Sequence, residues 1–144
     1  MGYNFYKMKK ERFREICEEG IPFNRFLGIR VGLLEKGHAR LTLPYRDEFI
    51  GDPRRPALHG GVISTLVDMA GGAAAWSELN EGDRLSTVDL LVDYLLPASK
   101  DTLEADARVI RIGNRVAVVQ VSVTQHGRRE VIAQGRAVYN VQRK

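Results

Sequence analysis

The stretch Pro56-Ala57-Leu58-His59-Gly60-Gly61-Val62-Ile63-Ser64-Thr65-Leu66-Val67-Asp68-Met69-Ala70-Gly71-Gly72-Ala73-Ala74-Ala75-Trp76-Ser77 holds one acid and no lysine or arginine, in a chain whose residues are 28% charged. No proline falls from 57 to 96, and Ala, Leu and Met are frequent, so the spacing predicts a long helix over about 60–79. It is apolar over most of its circumference, as a helix enclosed by a sheet should be. Val62, Leu66, Met69, Ala73 and Trp76 recur at spacings of three and four and are expected to face that sheet. Ser64, Thr65, Asp68, Gly71, Gly72 and Ala75 make a second face of small residues around the carboxylate. A mid-helix glycine costs roughly 1 kcal/mol against alanine. Two in a row imply a close neighbour, either another backbone or a ligand. A charge on an apolar helix must be paired, hydrated or shifted in pKa. Asp68 therefore reads either as a catalytic carboxylate or as a structural one that caps an element or pairs with a cation.

Upstream, residues 4–19 read as an amphipathic helix with Tyr6, Phe13, Ile16 and Cys17 on one side and a solvated basic face on the other. Gly20 ends it, and residues 22–28 are expected to add one turn. Two short strands follow at about 29–35 and 38–44, joined at Lys36-Gly37, and 45–58 is a Pro- and Arg-rich loop. Downstream the period changes to two: Ser86, Val88, Leu90, Val92, Tyr94 and Leu96 are expected on the face toward the helix, and Pro97 closes the strand. Strands at about 103–112, 115–125 and 130–141 are joined by turns at Gly113-Asn114 and Gly127-Arg128. The order is helix, hairpin, long helix, four-strand meander. An α+β domain over 1–144, with one antiparallel sheet wrapped around one helix, is the economical architecture.

A chain of 144 residues fits one ordinary domain. The single cysteine, Cys17, allows no disulfide within the chain and favours a reducing, cytoplasmic setting. The N-terminus lacks a signal-peptide core, Tyr6 argues against myristoylation of Gly2, and the apolar stretch Val62–Trp76 is too short and polar to span a bilayer, so no membrane association is expected. The net charge of +4 is dispersed in clusters such as Arg54/Arg55 and Arg128/Arg129, with no nucleic-acid motif. A small molecule carrying phosphates would use the same charges. His38, His59 and His126 stand too far apart for a metal site. No GxSxG, GxGxxG or Walker sequence occurs.

The glycines after His59 leave the first amides of the long helix open. Those amides lack internal partners and carry partial positive charge, which suits an oxyanion. Gly60 and Asp68, eight residues apart on one helix, are separated by roughly 12 Å at 1.5 Å per residue. A donor and a nucleophile or base acting on one carbonyl must both lie within about 3 Å of it. If both groups are catalytic, two chains must lend opposite ends of the helix to each site, as in a dimer with two equivalent sites.

The run His59-Gly60-Gly61-Val-Ile-Ser-Thr-Leu-Val-Asp68-Met-Ala, with Tyr94-Leu-Leu-Pro97-Ala and Ala133-Gln-Gly135-Arg, resembles the hotdog-fold acyl-CoA thioesterases, most closely the PaaI-like branch, over about residues 26–141. The resemblance implies a helix wrapped by an antiparallel sheet, homodimers that often pair into homotetramers, and hydrolysis of acyl-CoA. No separate cofactor is implied, because the CoA moiety is part of the substrate. By position, Asp68 resembles the catalytic carboxylate, nucleophile or general base. Gly60 resembles the oxyanion donor, His59 the motif histidine that orients loop or substrate, and Thr87 a hydroxyl that places water. Gly61, Arg54 and Arg55 are expected near substrate, and Gly113, Asn114 and Arg115 lie where the family contacts pantetheine or nucleotide. One departure stands out. Relatives carry Asn or Gln about six residues before the histidine, where this chain has Pro53 beside Asp52. Asp52 is a candidate substitute, but an ionised carboxylate donates no hydrogen bond. That motivates a rival reading, a non-catalytic acyl-CoA-binding protein or sensor on the same scaffold. A hotdog dehydratase is a third, and the chain lacks the proline-rich histidine context of those enzymes.

Overall fold

The computed structural model describes residues 2–144, with side chains from residue 7 onward, so the expected place of Tyr6 lies outside the described side chains. In chain order the elements are α1 (Gly2–Glu15), a π-helical turn (Ile16–Gly20), α2 (Pro22–Leu27), β1 (Arg30–Glu35) and β2 (His38–Leu43). A 3-10 turn (Asp47–Phe49), β3 (Ile50–Asp52), β4 (Arg55–Leu58) and α3 (Gly60–Trp76) follow. The chain closes with β5 (Arg84–Tyr94), β6 (Leu103–Ile112), β7 (Val116–Gln125) and β8 (Ala133–Gln142). Six strands form one antiparallel sheet in the order β1-β2-β6-β7-β8-β5, and β3 pairs with β4 apart from it.

Helix α3 packs against every strand of this sheet. Ile63, Leu66, Val67, Ala70, Ala73, Ala74 and Ala75 are buried, which explains the absence of charge along it. The expected division into a sheet face and a small-residue face needs correction. Val62, Met69 and Trp76 are only half-buried, while Gly71 and Ala75 are fully covered. The curved sheet wraps around the helix and reaches the small-residue side as well. Gly135 of β8 is there because a Cβ at that position would overlap Val67.

Strand β5 departs from simple alternation. A bulge between Thr87 and Asp89 in its pairing with β8 shifts the phase by one residue. Leu85 and Thr87 before the bulge, and Leu90, Val92 and Tyr94 after it, turn toward the helix. Val88, expected inward, is 65% exposed, and Ser86 and Leu96 are exposed as well. The bulge is what delivers Thr87 to Asp68.

The 45–58 segment, expected to be a loop, contains the β3–β4 hairpin. Asp52 Oδ1 accepts from the Arg54 amide at 2.9 Å and closes the turn around Pro53. The His59 amide donates to Phe49 O at 2.7 Å and the Leu58 amide to Ala98 O at 2.9 Å, fixing the entry to α3. The later turns are wider than expected: Gly113–Arg115 link β6 to β7, and residues 126–132 link β7 to β8.

At the other end of α3 the helix stops at Trp76 rather than near 79. Ser77 Oγ turns back to Ala74 O at 2.6 Å. The basic face of α1 is not merely solvated, because Lys9 Nζ donates to Leu79 O at 2.6 Å and to Ser77 O at 3.3 Å. Its ammonium lies 4.8 Å from the centre of the Trp76 ring, which also packs on Phe13 with centroids 4.5 Å apart. The π turn after α1 adds a residue to the helical phase, so Cys17 is buried while Ile16, expected beside it, is exposed. Burial pushes the Cys17 thiol up to about 11, far from a reactive thiolate.

Candidate active site

The sequence His59-Gly60-Gly61 folds as a helix start with the imidazole as its cap. His59 Nδ1 accepts from the Gly61 amide at 2.9 Å, and His59 O accepts from the Val62 amide at 3.0 Å. An accepting Nδ1 places the ring proton on Nε2. Gly61, expected beside substrate, thus has its N–H occupied. The Gly60 N–H has no protein partner among the described residues. It stands at the positive end of a 17-residue helix, so it is the amide free to hold an oxyanion. His59 orients this turn rather than presenting a base to it.

Tyr94, at the end of β5, faces the helix as expected but is not among the site residues expected from the sequence. Its hydroxyl donates to Gly60 O at 3.0 Å and also contacts Ser64 Oγ. Its ring lies so close that a Cβ on Gly60 would meet Cε1 at 3.1 Å. Beside Gly60 is an open apolar recess of about 340 Å³, walled by Leu58, Ile63, Tyr94, Leu95, Leu96 and Pro97.

Two turns of helix away, the half-buried Asp68 accepts from Thr87 Oγ1 at 2.9 Å through Oδ1. Tyr139 of β8 reaches the same oxygen at 3.3 Å and donates to the Asp68 backbone O at 2.7 Å. Among the described residues Oδ2 has no hydrogen-bond partner, and no ion pair involves Asp68. Of the structural alternatives, the pairing with a cation is not built among the described residues, whereas the hydrogen bonds from Thr87 and Tyr139 do tie the carboxylate to β5 and β8. Burial, with Asp68 next to it, drives the Tyr139 phenol far above its ordinary range and keeps it a donor. Tyr139 was also missed. The signal was the glycine pair, which announces a close neighbour without identifying it.

The remaining expected residues divide. Asp52 is held below the usual carboxylate range by the Arg54 amide and then by its side chain. It is an ionised acceptor and cannot replace the missing amide donor. Arg54 and Arg55, 88% and 85% exposed, pair with Asp52 and do not converge on Gly60 or Asp68. Asn114 and Arg115 line an open cleft of about 680 Å³ with Arg84, Asn140, Arg143 and Lys144, at the Thr87 end of β5. Gly113 contributes its carbonyl, which accepts from Arg143 Nη2 at 2.9 Å. Asp83 anchors this tail, accepting from Arg143 Nη1 at 2.9 Å and from the Lys144 amide at 3.0 Å. Among the described residues no three metal-binding side chains cluster, and no helix is long and apolar enough to cross a membrane.

The thioesterase superfamily model matches residues 56–132, more than half of the chain. A medium/long-chain acyl-CoA thioesterase of Escherichia coli, YigI, is 33% identical over 135 residues, covering 84% of this chain and 86% of that protein. A Halobacterium salinarum protein named provisionally as an esterase is 41% identical over 101 residues, 68% of this chain and 66% of its own length. Among solved structures, a Shewanella oneidensis protein related to the thioesterase superfamily superposes with a TM-score of 0.87 at 27% identity, covering 96% of this chain and 98% of that one. The matched region runs through both the His59–Gly60 turn and Asp68, and with its helix wrapped by an antiparallel sheet this chain belongs to the thioesterase superfamily and has the hotdog fold.

Proposed function

We propose that the protein is an acyl-CoA thioesterase, PaaI-like in type, that hydrolyses acyl- or aryl-CoA at two equivalent sites in a homodimer. The carrying observation is that one edge strand touches both ends of the proposed chemistry. Strand β5 meets Asp68 through Thr87 and Gly60 through Tyr94, and its outer edge pairs with no strand in the sheet. Val88, Leu91, Leu95 and Leu96 are exposed along and just beyond it. Such an edge is a template for another strand. Two-fold pairing with a second copy runs antiparallel, so the Thr87–Asp68 end of one chain lies against the Tyr94–Gly60 end of the other. That pairing joins groups that one helix keeps roughly 12 Å apart.

In this arrangement the thioester oxygen accepts from the Gly60 N–H, whose partial charge strengthens as the carbonyl carbon becomes tetrahedral. Asp68 of the partner subunit acts through Oδ2. It either takes a proton from an attacking water or attacks the carbonyl itself, giving an anhydride that water then opens. The C–S bond breaks, the thiolate leaves and is protonated, and the products are a carboxylic acid and CoA. Arg84, Arg115, Arg143 and Lys144 suit the phosphates of the nucleotide, and the recess beside Gly60 suits the acyl group. The named activity of the YigI relative supports the acyl-CoA class.

The test is Asp68→Asn, which keeps shape and fold and should lower acyl-CoA turnover at least a hundredfold, measured by thiol release. Activity within threefold of wild type removes Asp68 from the mechanism. The occupied carboxylate of Asp52 favours a second reading, an acyl-CoA-binding protein or sensor. Calorimetric binding of acyl-CoA with no thiol released by the wild type would establish that one instead.

A further inference from the structure

We propose that Tyr139 is the positioning residue for Asp68: its buried hydroxyl, inserted at the helix beside the carboxylate, fixes Oδ1 together with Thr87 and leaves Oδ2 as the oxygen presented to substrate. The inference rests on the thioesterase reading for its kinetic consequence, but its geometry stands independently. Tyr139 is 2% exposed, and its hydroxyl lies within hydrogen-bonding distance of both the backbone and the carboxylate oxygen of Asp68. The hydroxyl therefore sits against the α3 backbone at the residue that carries the acid.

The helix is built to receive it. A Cβ on Gly71 would stand 2.5 Å from Tyr139 Oη and 3.2 Å from Ala137 Cβ, so that position admits only glycine while the hydroxyl is in place. At Gly72 the same test gives ordinary contact, 3.7 Å to the ring. Of the two glycines that are costly to helix stability, Gly71 is the one with a steric reason, and the reason is Tyr139. Tyr139 also lies on the same face of β8 as Gly135 and Ala137, which lets that strand approach α3 closely.

A phenol has one proton to donate. Shared between the backbone O and Oδ1, it holds the carboxylate in one rotamer while Thr87 Oγ1 occupies the other side of Oδ1. Among the described residues no cation touches the carboxylate, and Tyr139 is the only titratable group that hydrogen-bonds to it. Removing the hydroxyl therefore deletes one forked hydrogen bond to Asp68, whose shorter arm is on the backbone O and whose longer arm is on Oδ1.

Tyr139→Phe keeps the ring and deletes that bond. The expected result is a fall in kcat on the order of tenfold with KM changed by less than twofold, and an acid limb of the kcat/KM profile moved to higher pH, because the ionised carboxylate loses a donor. Gly71→Ala, which pushes the hydroxyl away from the helix side, should reproduce both effects while leaving Tyr139 present. Wild-type kcat and an unmoved acid limb in either folded variant overturn the proposal, even if the melting temperature drops. Should the wild type release no thiol from any acyl-CoA, the thioesterase reading fails. The carboxyl carbon of Asp68, followed by NMR against pH and assigned with Asp68→Asn, then decides the positioning role. A higher midpoint in Tyr139→Phe supports it, and an unchanged midpoint overturns it.

Discussion

The two ends of helix α3 are finished in opposite ways. At the C-terminal end the carbonyls are closed off by Ser77 Oγ and by Lys9 Nζ from α1, and Trp76 lies under Phe13. At the N-terminal end His59 closes the Gly61 amide with its ring and the Val62 amide with its carbonyl, and among the described residues the Gly60 N–H has no partner. Helix ends ordinarily satisfy their orphan groups, since each unmet one costs free energy when water is excluded. On the proposed thioesterase reading, the end left open beside an apolar recess, on a helix whose other end is capped, is where the substrate supplies the missing acceptor. That reading divides stability and chemistry between the two ends.

Gly60→Pro attacks that division most directly. Proline is favoured at the first helical position because its absent N–H is one the helix does not use. His59, at φ −63° and ψ 131°, already has the extended backbone that a following proline requires. The fold should therefore persist while the one free donor disappears, and kcat should fall about a hundredfold to a thousandfold. Gly60→Ala is the control for the contact with Tyr94, keeping the donor while adding the Cβ. The same variant tests the shared site. Mixed with Asp68→Asn, half the dimers carry one intact Gly60–Asp68 pair, and activity should recover to about a quarter of wild type. No recovery in verified mixed dimers means that each chain works alone.

Much of this contrast is legible in the sequence, and the part that is not has a physical cause. The free amide and the lone carboxylate follow from His59-Gly60-Gly61 and from the charge gap around Asp68, because both are local features of one helix. The order of elements, long helix first and four long strands after, follows from a change of period from 3.6 to 2, but the expected meander does not hold, because β5 pairs with β8 and β6 with β2. What alternation cannot reveal is a bulge, and the one between Thr87 and Asp89 puts Leu85 and Thr87 on the helix side where unbroken alternation puts Ser86 and Val88. Nor can it give the partner of a glycine. Gly71 signals a close neighbour, expected to be another backbone or a ligand, but Tyr139 is 68 residues downstream, and contact of such range is set by the curved sheet rather than by any local pattern. The β3–β4 hairpin was hidden because Asp52 and Arg54 close a turn through a side chain in a stretch whose composition reads only as loop.

The capped end gives the converse expectation. Lys9→Met preserves the aliphatic contact with Trp76 and removes the charge and the hydrogen bonds to Leu79 O and Ser77 O. Loss of a partly buried helix cap costs about 1 kcal/mol, which in a chain of this size lowers the melting temperature by roughly 2–4 °C. The kcat should not change. A tenfold loss of activity without loss of stability would show that the two ends are coupled and would dissolve the contrast.

The smallest effect is expected just past the capped end, at Asp83. Its carboxylate accepts from the amides of Asn80 and Lys144 and from Arg143, closing the turn after α3 and pinning the C-terminal strand end. These donors, the Lys144 amide first and then the Arg143 side chain, hold its carboxyl below the usual range. A carboxyl whose pKa is lower in the folded than in the unfolded chain stabilises the fold at every pH above the unfolded value of about 3.9. That contribution is lost as pH falls through the folded value. Asp83→Asn should therefore melt slightly below wild type at pH 7, and the gap should close as the two are compared at progressively more acid pH. Because Arg143 and Lys144 also border the basic cleft, the same variant should raise KM for an acyl-CoA modestly and leave kcat alone. A gap in melting temperature that persists undiminished down to the most acid pH at which both proteins fold would mean that Asp83 acts by its shape and not by its charge, and the cleft would then owe its basic wall to the backbone turn alone.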